Sequence, residues 1–164
     1  DRTMHFGGPK LRLKWLPVQT DDSGHGWFAG ANLEYAFTSA EFEQSTRNVE
    51  LRPIIGYRNR DWLIAANPIL GWSLNGPDHD GKADFSPAVK MARSLSEGLS
   101  VGMEYYADLG KLNRRLPRSE QGHTLFFTLD IEYKGWEFNV GIGRGLTDAT
   151  DRWTLKTIFA FPFD

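Results

Sequence analysis

The chain has 164 residues with 19 basic and 21 acidic side chains, a formal net charge of −2, and no cysteine. That balance argues against a general affinity for nucleic acid, and the missing thiols exclude disulfides and thiolate metal sites. No apolar run approaches the roughly 20 residues of a membrane helix, and the opening residues do not read as a signal peptide. A mean hydropathy of −0.45 leaves a membrane open, because a transmembrane barrel hides its apolar residues at every second position.

Period-two segments separated by turn residues run the length of the chain. The first, 9–19, sets Leu11, Leu13 and Trp15 against Lys10, Arg12 and Lys14. The second, 27–38, sets Trp27, Leu33, Tyr35 and Phe37 against Gly30, Asn32 and Glu34. The third, 48–58, sets Val49, Leu51, Ile55 and Tyr57 against Glu50, Arg52, Gly56 and Arg58. The fourth, 61–74, carries Trp62, Ile64, Ala66, Pro68, Leu70 and Trp72 on one face. The fifth, 82–94, is less regular, with Phe85, Val89 and Met91 opposing Asp84, Ser86 and Lys90. The sixth, 99–109, alternates cleanly, with Val101, Met103 and Tyr105 against Gly102, Glu104 and Asp108. The seventh, 123–134, sets Leu125, Phe127, Leu129, Ile131 and Tyr133 against Thr124, Thr128, Asp130 and Glu132. The eighth, 136–144, sets Trp136, Phe138, Val140 and Ile142 against Glu137, Asn139, Gly141 and Gly143. The ninth, 152–163, carries Trp153, Leu155, Phe159, Phe161 and Phe163. No comparable window shows a 3.6-residue period. The chain reads as all-β, one domain over 1–164, with 1–8 irregular or part of an upstream strand.

Alternation allows a soluble barrel or sandwich, or a membrane barrel with the apolar set facing lipid. Three features favour an antiparallel up-and-down transmembrane β-barrel. Trp27 to Phe37, Trp62 to Trp72 and Trp153 to Phe163 are each ten residues apart. Ten steps of roughly 3.4 Å, tilted by about 40–45°, span roughly 25 Å, the height of an apolar barrel band. With Tyr133 and Trp136, these aromatics make a girdle at the two interfaces. The polar face mixes charges with Gly30, Gly56, Gly71, Gly102, Gly141 and Gly143, read as room for long charged neighbours. Short connections at 59–61, 95–98 and 134–135 alternate with longer ones at 39–47, 75–81, 110–122 and 145–151, as periplasmic turns and outer loops do. Nine strands conflict with the even count of such barrels, so the expectation is the C-terminal part of a larger even-stranded barrel. Additional strands or another polypeptide would close it.

The last segment, "RWTLKTIFAFPFD", resembles the C-terminal signal that the barrel-assembly machinery reads, although such signals usually end on the aromatic and this chain ends on Asp164. "NVELRPIIGYR", "NPILGW", "PAVKMA" and "GMEYYADLG" together resemble uncharacterised proteobacterial outer-membrane proteins of the transporter type associated with aromatic-degradation pathways. The resemblance covers most of the chain from about Gly8. It implies the outer membrane of a Gram-negative bacterium, with lipid, lipopolysaccharide and the assembly machinery as partners. Family members carry a signal peptide and further strands upstream.

On this assignment the inward cations are Lys10, Arg12, Lys14, Arg52, Arg58, Lys90, Lys134 and Lys156. The inward anions are Glu34, Glu50, Asp84, Glu104, Asp108, Asp130, Glu132 and Glu137. The numbers balance, but cations gather on the first and third strands and anions on the sixth to eighth. Across a barrel that gives a basic wall facing an acidic wall, a field that orients zwitterionic or dipolar solutes. The expected function is a narrow polar pore or transporter for small solutes. The competing reading is a structural barrel whose salt-bridged lumen is closed and which anchors an envelope complex.

No enzyme, metal or cofactor is expected. His5, His25, His79 and His123 lie in loops or at strand ends, outside any nucleophile motif. "GPDHDG", 76–81, reads as a turn before it reads as a cation site. "GIGRGLTD" lacks the following helix that a dinucleotide fingerprint needs. "KLNRRLPR", 111–118, is a solvated loop that can meet lipopolysaccharide phosphates. Pro53, Pro68, Pro87 and Pro162 fall inside strands, where bulges or strand ends are expected.

Overall fold

The computed structural model describes residues 8–41 and 44–161. Nine long antiparallel strands follow one another in a single sheet, each hydrogen-bonded to the next. They are β1 (Lys10–Val18), β2 (Gly26–Phe37), β3 (Arg47–Arg58), β4 (Trp62–Ser73), β5 (Asp84–Ser96) and β6 (Leu99–Asp108). After the two-residue β7 (Gly110–Lys111) and β8 (Arg114–Arg115) come β9 (Gly122–Tyr133), β10 (Trp136–Gly145) and β11 (Trp153–Ala160). β6 pairs directly with β9, and β7 and β8 form a small ribbon off the end of β5. The sheet curls strongly into a half-barrel, and no helix interrupts it among the described residues. Among the described residues β1 and β11 do not touch, so both edges of the sheet are open.

Local chemistry explains the short connections. Lys134 (φ 50°) and Gly135 (φ 79°) both take left-handed conformations between paired Tyr133 and Trp136. That is the type I′ turn whose twist matches a hairpin, and glycine makes its second position cheap. Lys134 therefore belongs to the turn and not to the inner face. At residues 59–61, the Asn59 side-chain oxygen accepts from the backbone N–H of Asp61 and Trp62, at 2.9 and 2.8 Å. This Asx turn sets Trp62 at the rim.

The two faces of the sheet are chemically opposite. Leu13, Trp15, Ile55, Ile64, Phe127, Val140 and Phe159 are all exposed, on the convex face. Glu34, Glu104 and Thr128 are buried, on the concave one. The buried apolar set is small: Ala36, Ile69, Ala88, Ala92, Ala107 and Phe126. The accessible surface is 11766 Å², against roughly 8,200 Å² for a globular chain of this length. The described residues form no hydrophobic interior beyond these six. Exposure peaks on the edge strands, at 81% for Leu155 and 74% for Leu11, where no outer neighbour covers the side chain.

The prolines are accommodated without the expected bulges. Pro68 pairs with Pro87, and the β3–β4 register puts Pro53 opposite Pro68, midway between the Leu51–Leu70 and Ile55–Ala66 pairs. Three prolines thus form one row across β3, β4 and β5. The β3–β4 pairing is interrupted only at this level, so one gap absorbs both missing donors. The Asn67 amide donates to the Pro53 carbonyl at 3.2 Å, supplying a replacement. Pro87 stands just before β5–β6 pairing begins at Ala88. The irregularities of the sheet lie elsewhere, at Trp15/Val18 and Ser94/Ser96. Pro162 lies outside the described residues.

Candidate functional site

The concave face is where side chains from non-adjacent strands meet. Register puts Lys10, Arg12, Lys14, Glu34, Glu50, Arg52 and Arg58 there from β1–β3. Asp84, Lys90, Glu104, Asp108, Asp130, Glu132, Glu137 and Lys156 join them from β5–β11. Which charges find one another is a matter of curvature. Lys90 of β5 reaches across β6 to Asp130 of β9 at 2.7 Å and also meets Glu104 at 3.2 Å. Lys156 of β11 reaches over β10 and β9 to pair with Glu104 of β6. On a flat sheet those backbones would stand about 14 Å apart, three strand spacings.

Glu104 is the hub of this cluster. Only 5% exposed, it holds both ammonium groups, accepts the Tyr106 hydroxyl at 2.6 Å, and takes the Asn139 amide at 3.4 Å. Asn139 also donates to Asp130 at 2.7 Å. The Lys156 ammonium lies over the Tyr106 and Phe126 rings, at 5.6 and 5.5 Å. Two carboxylates, two ammonium groups and the Asn139 amide thus lock five strands together with no net charge.

Toward the other edge, pairing is local. Glu34 and Glu50 face each other in register, a repulsive arrangement that each resolves with its own cations. Glu34 is clamped by Arg12 and by Lys10 at 3.2 Å, while Glu50 holds Arg52 at 2.7 Å. Asp84 takes Lys111 of β7 at 3.1 Å, a partner outside the strand pattern. Lys111 also meets Asp80 at 3.5 Å. The Asp80 carboxyl is held below its ordinary range by the Lys82 backbone N–H and then by Lys111. Burial would lower Lys111, but Asp84 and Asp80 outweigh it and hold the ammonium above its usual value. Asp108 accepts the Gly110 N–H at 3.2 Å, closing the turn into β7.

The basic and acidic walls are therefore mostly neutralised, and they survive at one place. At the short-turn rim a cavity of about 610 Å³ is lined by Arg58 and Arg60 on one side and Glu132 and Glu137 on the other. Lys90, Asp130 and Asn139 form its inner end. A second, smaller cavity of about 210 Å³ lies near the long-loop rim, beside Lys10, Glu34, Glu50 and Asp84.

Two of the concave glycines, Gly56 and Gly143, receive rings rather than charges. A Cβ on Gly143 would meet the Phe126 ring at 2.6 Å, and one on Gly56 would strike the Phe28 ring. Each ring from the neighbouring strand covers a glycine, the pairing known to steady glycine in sheets. Gly71 adjoins a charged side chain, Glu50, at 3.9 Å, and Gly122 adjoins Asp108 at 3.3 Å. Gly143→Ala is accordingly expected to destabilise the sheet by about 1–3 kcal/mol through overpacking. Denaturant unfolding of the single variant and of Gly143→Ala/Phe126→Leu checks this, with recovery expected in the double.

The girdle aromatics fall at both rims. Trp27, Trp62, Tyr133 and Trp136 stand at the short-turn end, and Phe37, Trp72 and Trp153 at the long-loop end. Phe163 lies outside the described residues. Trp27 packs edge-on against Tyr57 at 5.4 Å, and Trp136 stacks on Phe138 at 6.2 Å. Arg93 lies over Trp62 and Arg144 over Trp153, at 5.7 and 5.0 Å.

The described histidines occupy turns and strand ends. His25 sits in the β1–β2 turn, His79 contacts the Ser73 carbonyl, and His123 meets the Tyr105 hydroxyl at 2.6 Å. In the 76–81 loop Asp78 accepts from Ser45 while Asp80 turns to Lys82 and Lys111, so the two carboxylates diverge. His5 lies outside the described residues.

Reading charge alone missed Tyr106, Asn139 and Phe126. Tyr106 follows Glu104 by two residues on the same face, and Asn139 is opposite Asp130 in the β9–β10 hairpin. Both signals are local and usable. No protein-family model, curated protein or solved structure matches this chain.

Proposed function

We propose that this sheet is part of the wall of an outer-membrane β-barrel of a Gram-negative bacterium, whose lumen passes small polar solutes. One observation carries the reading: apolar side chains cover the convex face, charges line the concave face, and no core lies between. Each Leu, Ile or Phe on that convex face gains about 1.5–3 kcal/mol on leaving water, and lipid supplies the place to leave to. Strands of 8 to 13 residues match the roughly 9–11 that cross a bilayer when tilted.

Curvature favours an open lumen. Nine strands that make half a barrel extrapolate to about eighteen, a size at which side chains no longer fill the interior. The open edges of β1 and β11 call for additional strands or another polypeptide, because unpaired backbone is not tolerated in lipid. Lipopolysaccharide and the barrel-assembly machinery are the proposed partners, the latter through the C-terminal strand.

The Glu104 hub favours a second reading, a barrel with its lumen closed by ion pairs that anchors an envelope complex. Conductance in planar bilayers separates the two, with the mass of the membrane-purified species measured on the same sample. Discrete steps from a species heavier than this chain are the expected result. A silent, folded barrel transfers the reading to the anchor, and a water-soluble monomer of this chain alone overturns both.

A further inference from the structure

We propose that the cavity at the short-turn rim binds small zwitterions of amino-acid or dipeptide size. Glu132 and Glu137 take the ammonium end, and Arg58 and Arg60 the carboxylate end. The inference rests on the reading of the concave face as a lumen wall and names what that wall selects.

Four observations converge. First, about 610 Å³ is within the range of pockets that hold small molecules, and all four charged side chains line it. Second, these four have no ion pair or hydrogen bond from their side chains among the described residues, while Glu34, Glu50, Lys90, Glu104 and Lys156 are all engaged. Third, Glu132 pairs directly with Glu137 in register. Like charges opposite each other on a sheet repel, and a cation between them removes the repulsion. Fourth, the inner end is closed by Lys90, Asp130 and Asn139, which already satisfy one another, so the uncommitted charges of the cavity are the four at its rim.

The arrangement selects against single charges. A lone anion drawn to Arg58 and Arg60 meets the glutamates, and a lone cation drawn to the glutamates meets the arginines. A molecule with both ends satisfies both sides. Arg58 ends β3 and Glu132 ends β9, four strand spacings apart, about 19 Å along the sheet, and the curl makes the direct gap shorter. After side-chain reach is subtracted, an amino acid or short peptide fits between them.

The test uses the membrane-purified protein with any polypeptide that accompanies it, and calorimetric titration with glycylglycine, N-acetyl-glycylglycine and glycylglycinamide. Glycylglycine is expected to bind, with each capped peptide at least about tenfold weaker, because each loses one charge-assisted contact. Glu132→Gln/Glu137→Gln and Arg58→Gln/Arg60→Gln are each expected to cost glycylglycine about tenfold. No binding by folded protein, equal binding of the capped peptides, or unchanged affinity in both double variants overturns the proposal. Conductance recorded in parallel keeps the two readings apart. Channels without glycylglycine binding remove this site and leave the pore. Binding without channels keeps the site and removes passage.

Discussion

Replacing Glu104 with glutamine is expected to lower the unfolding free energy by about 3–5 kcal/mol, the cost of leaving buried charges without their partner. The side chain is 6% exposed and serves Lys90, Lys156 and Tyr106 together. Its loss leaves the Lys156 ammonium on β11 without its carboxylate and leaves Lys90 on β5 with Asp130 alone. The comparison is Glu50→Gln. The Glu50–Arg52 pair lies within one strand and is 27–29% exposed, so its loss is expected to cost about 1 kcal/mol or less. Urea unfolding in detergent micelles, followed by the shift between folded and unfolded bands on gels, measures both. Equal small losses would mean that the Glu104 cluster contributes little to holding the curl. Glu104→Gln/Lys156→Met is expected to recover part of the loss, because one orphaned cation is removed with its partner.

Phe127→Arg carries the second large effect, and here the sign is informative. Phe127 is 57% exposed near the middle of β9 on the convex face. In a bilayer an arginine at mid-height costs about 2–4 kcal/mol, and the variant should fail to accumulate as a folded membrane species. In water the same exchange on an exposed position is near neutral and improves solubility. Folded yield from membrane fractions, compared with that of Phe127→Leu, decides the matter. Normal yield of the arginine variant would remove the lipid-facing assignment of the convex face.

The strands and their faces were legible because alternation is written into neighbouring residues. All nine long strands lie within a few residues of the period-two segments, from Lys10–Val18 to Trp153–Ala160. β7 and β8 were not legible, since two residues carry no period. The concave cluster was legible only in part. Glu104, Asp130, Lys90 and Lys156 declared themselves by charge, but pairing across two or three strands depends on register and curl, and neither is a local property. The same gap explains the misreading of Gly143 and Gly56. Alternation placed them on the inner face without telling which neighbouring side chain would fill the space. Lys134 was misassigned because a lysine after an alternating run looks like its next member, whereas the glycine behind it makes a turn.

The row of Pro53, Pro68 and Pro87 has a mechanical consequence. A sheet resists bending and shear through its ladder, and the β3–β4 seam lacks rungs at mid-height while remaining zipped from Asn48 to Leu51 and from Ile55 to Arg58. That seam is stiff at both ends and compliant at its centre. When the sheet is bent or sheared, strain gathers there instead of spreading evenly across the strands. The prolines mark a crease in the wall, set where the strands on either side are long enough to keep it closed.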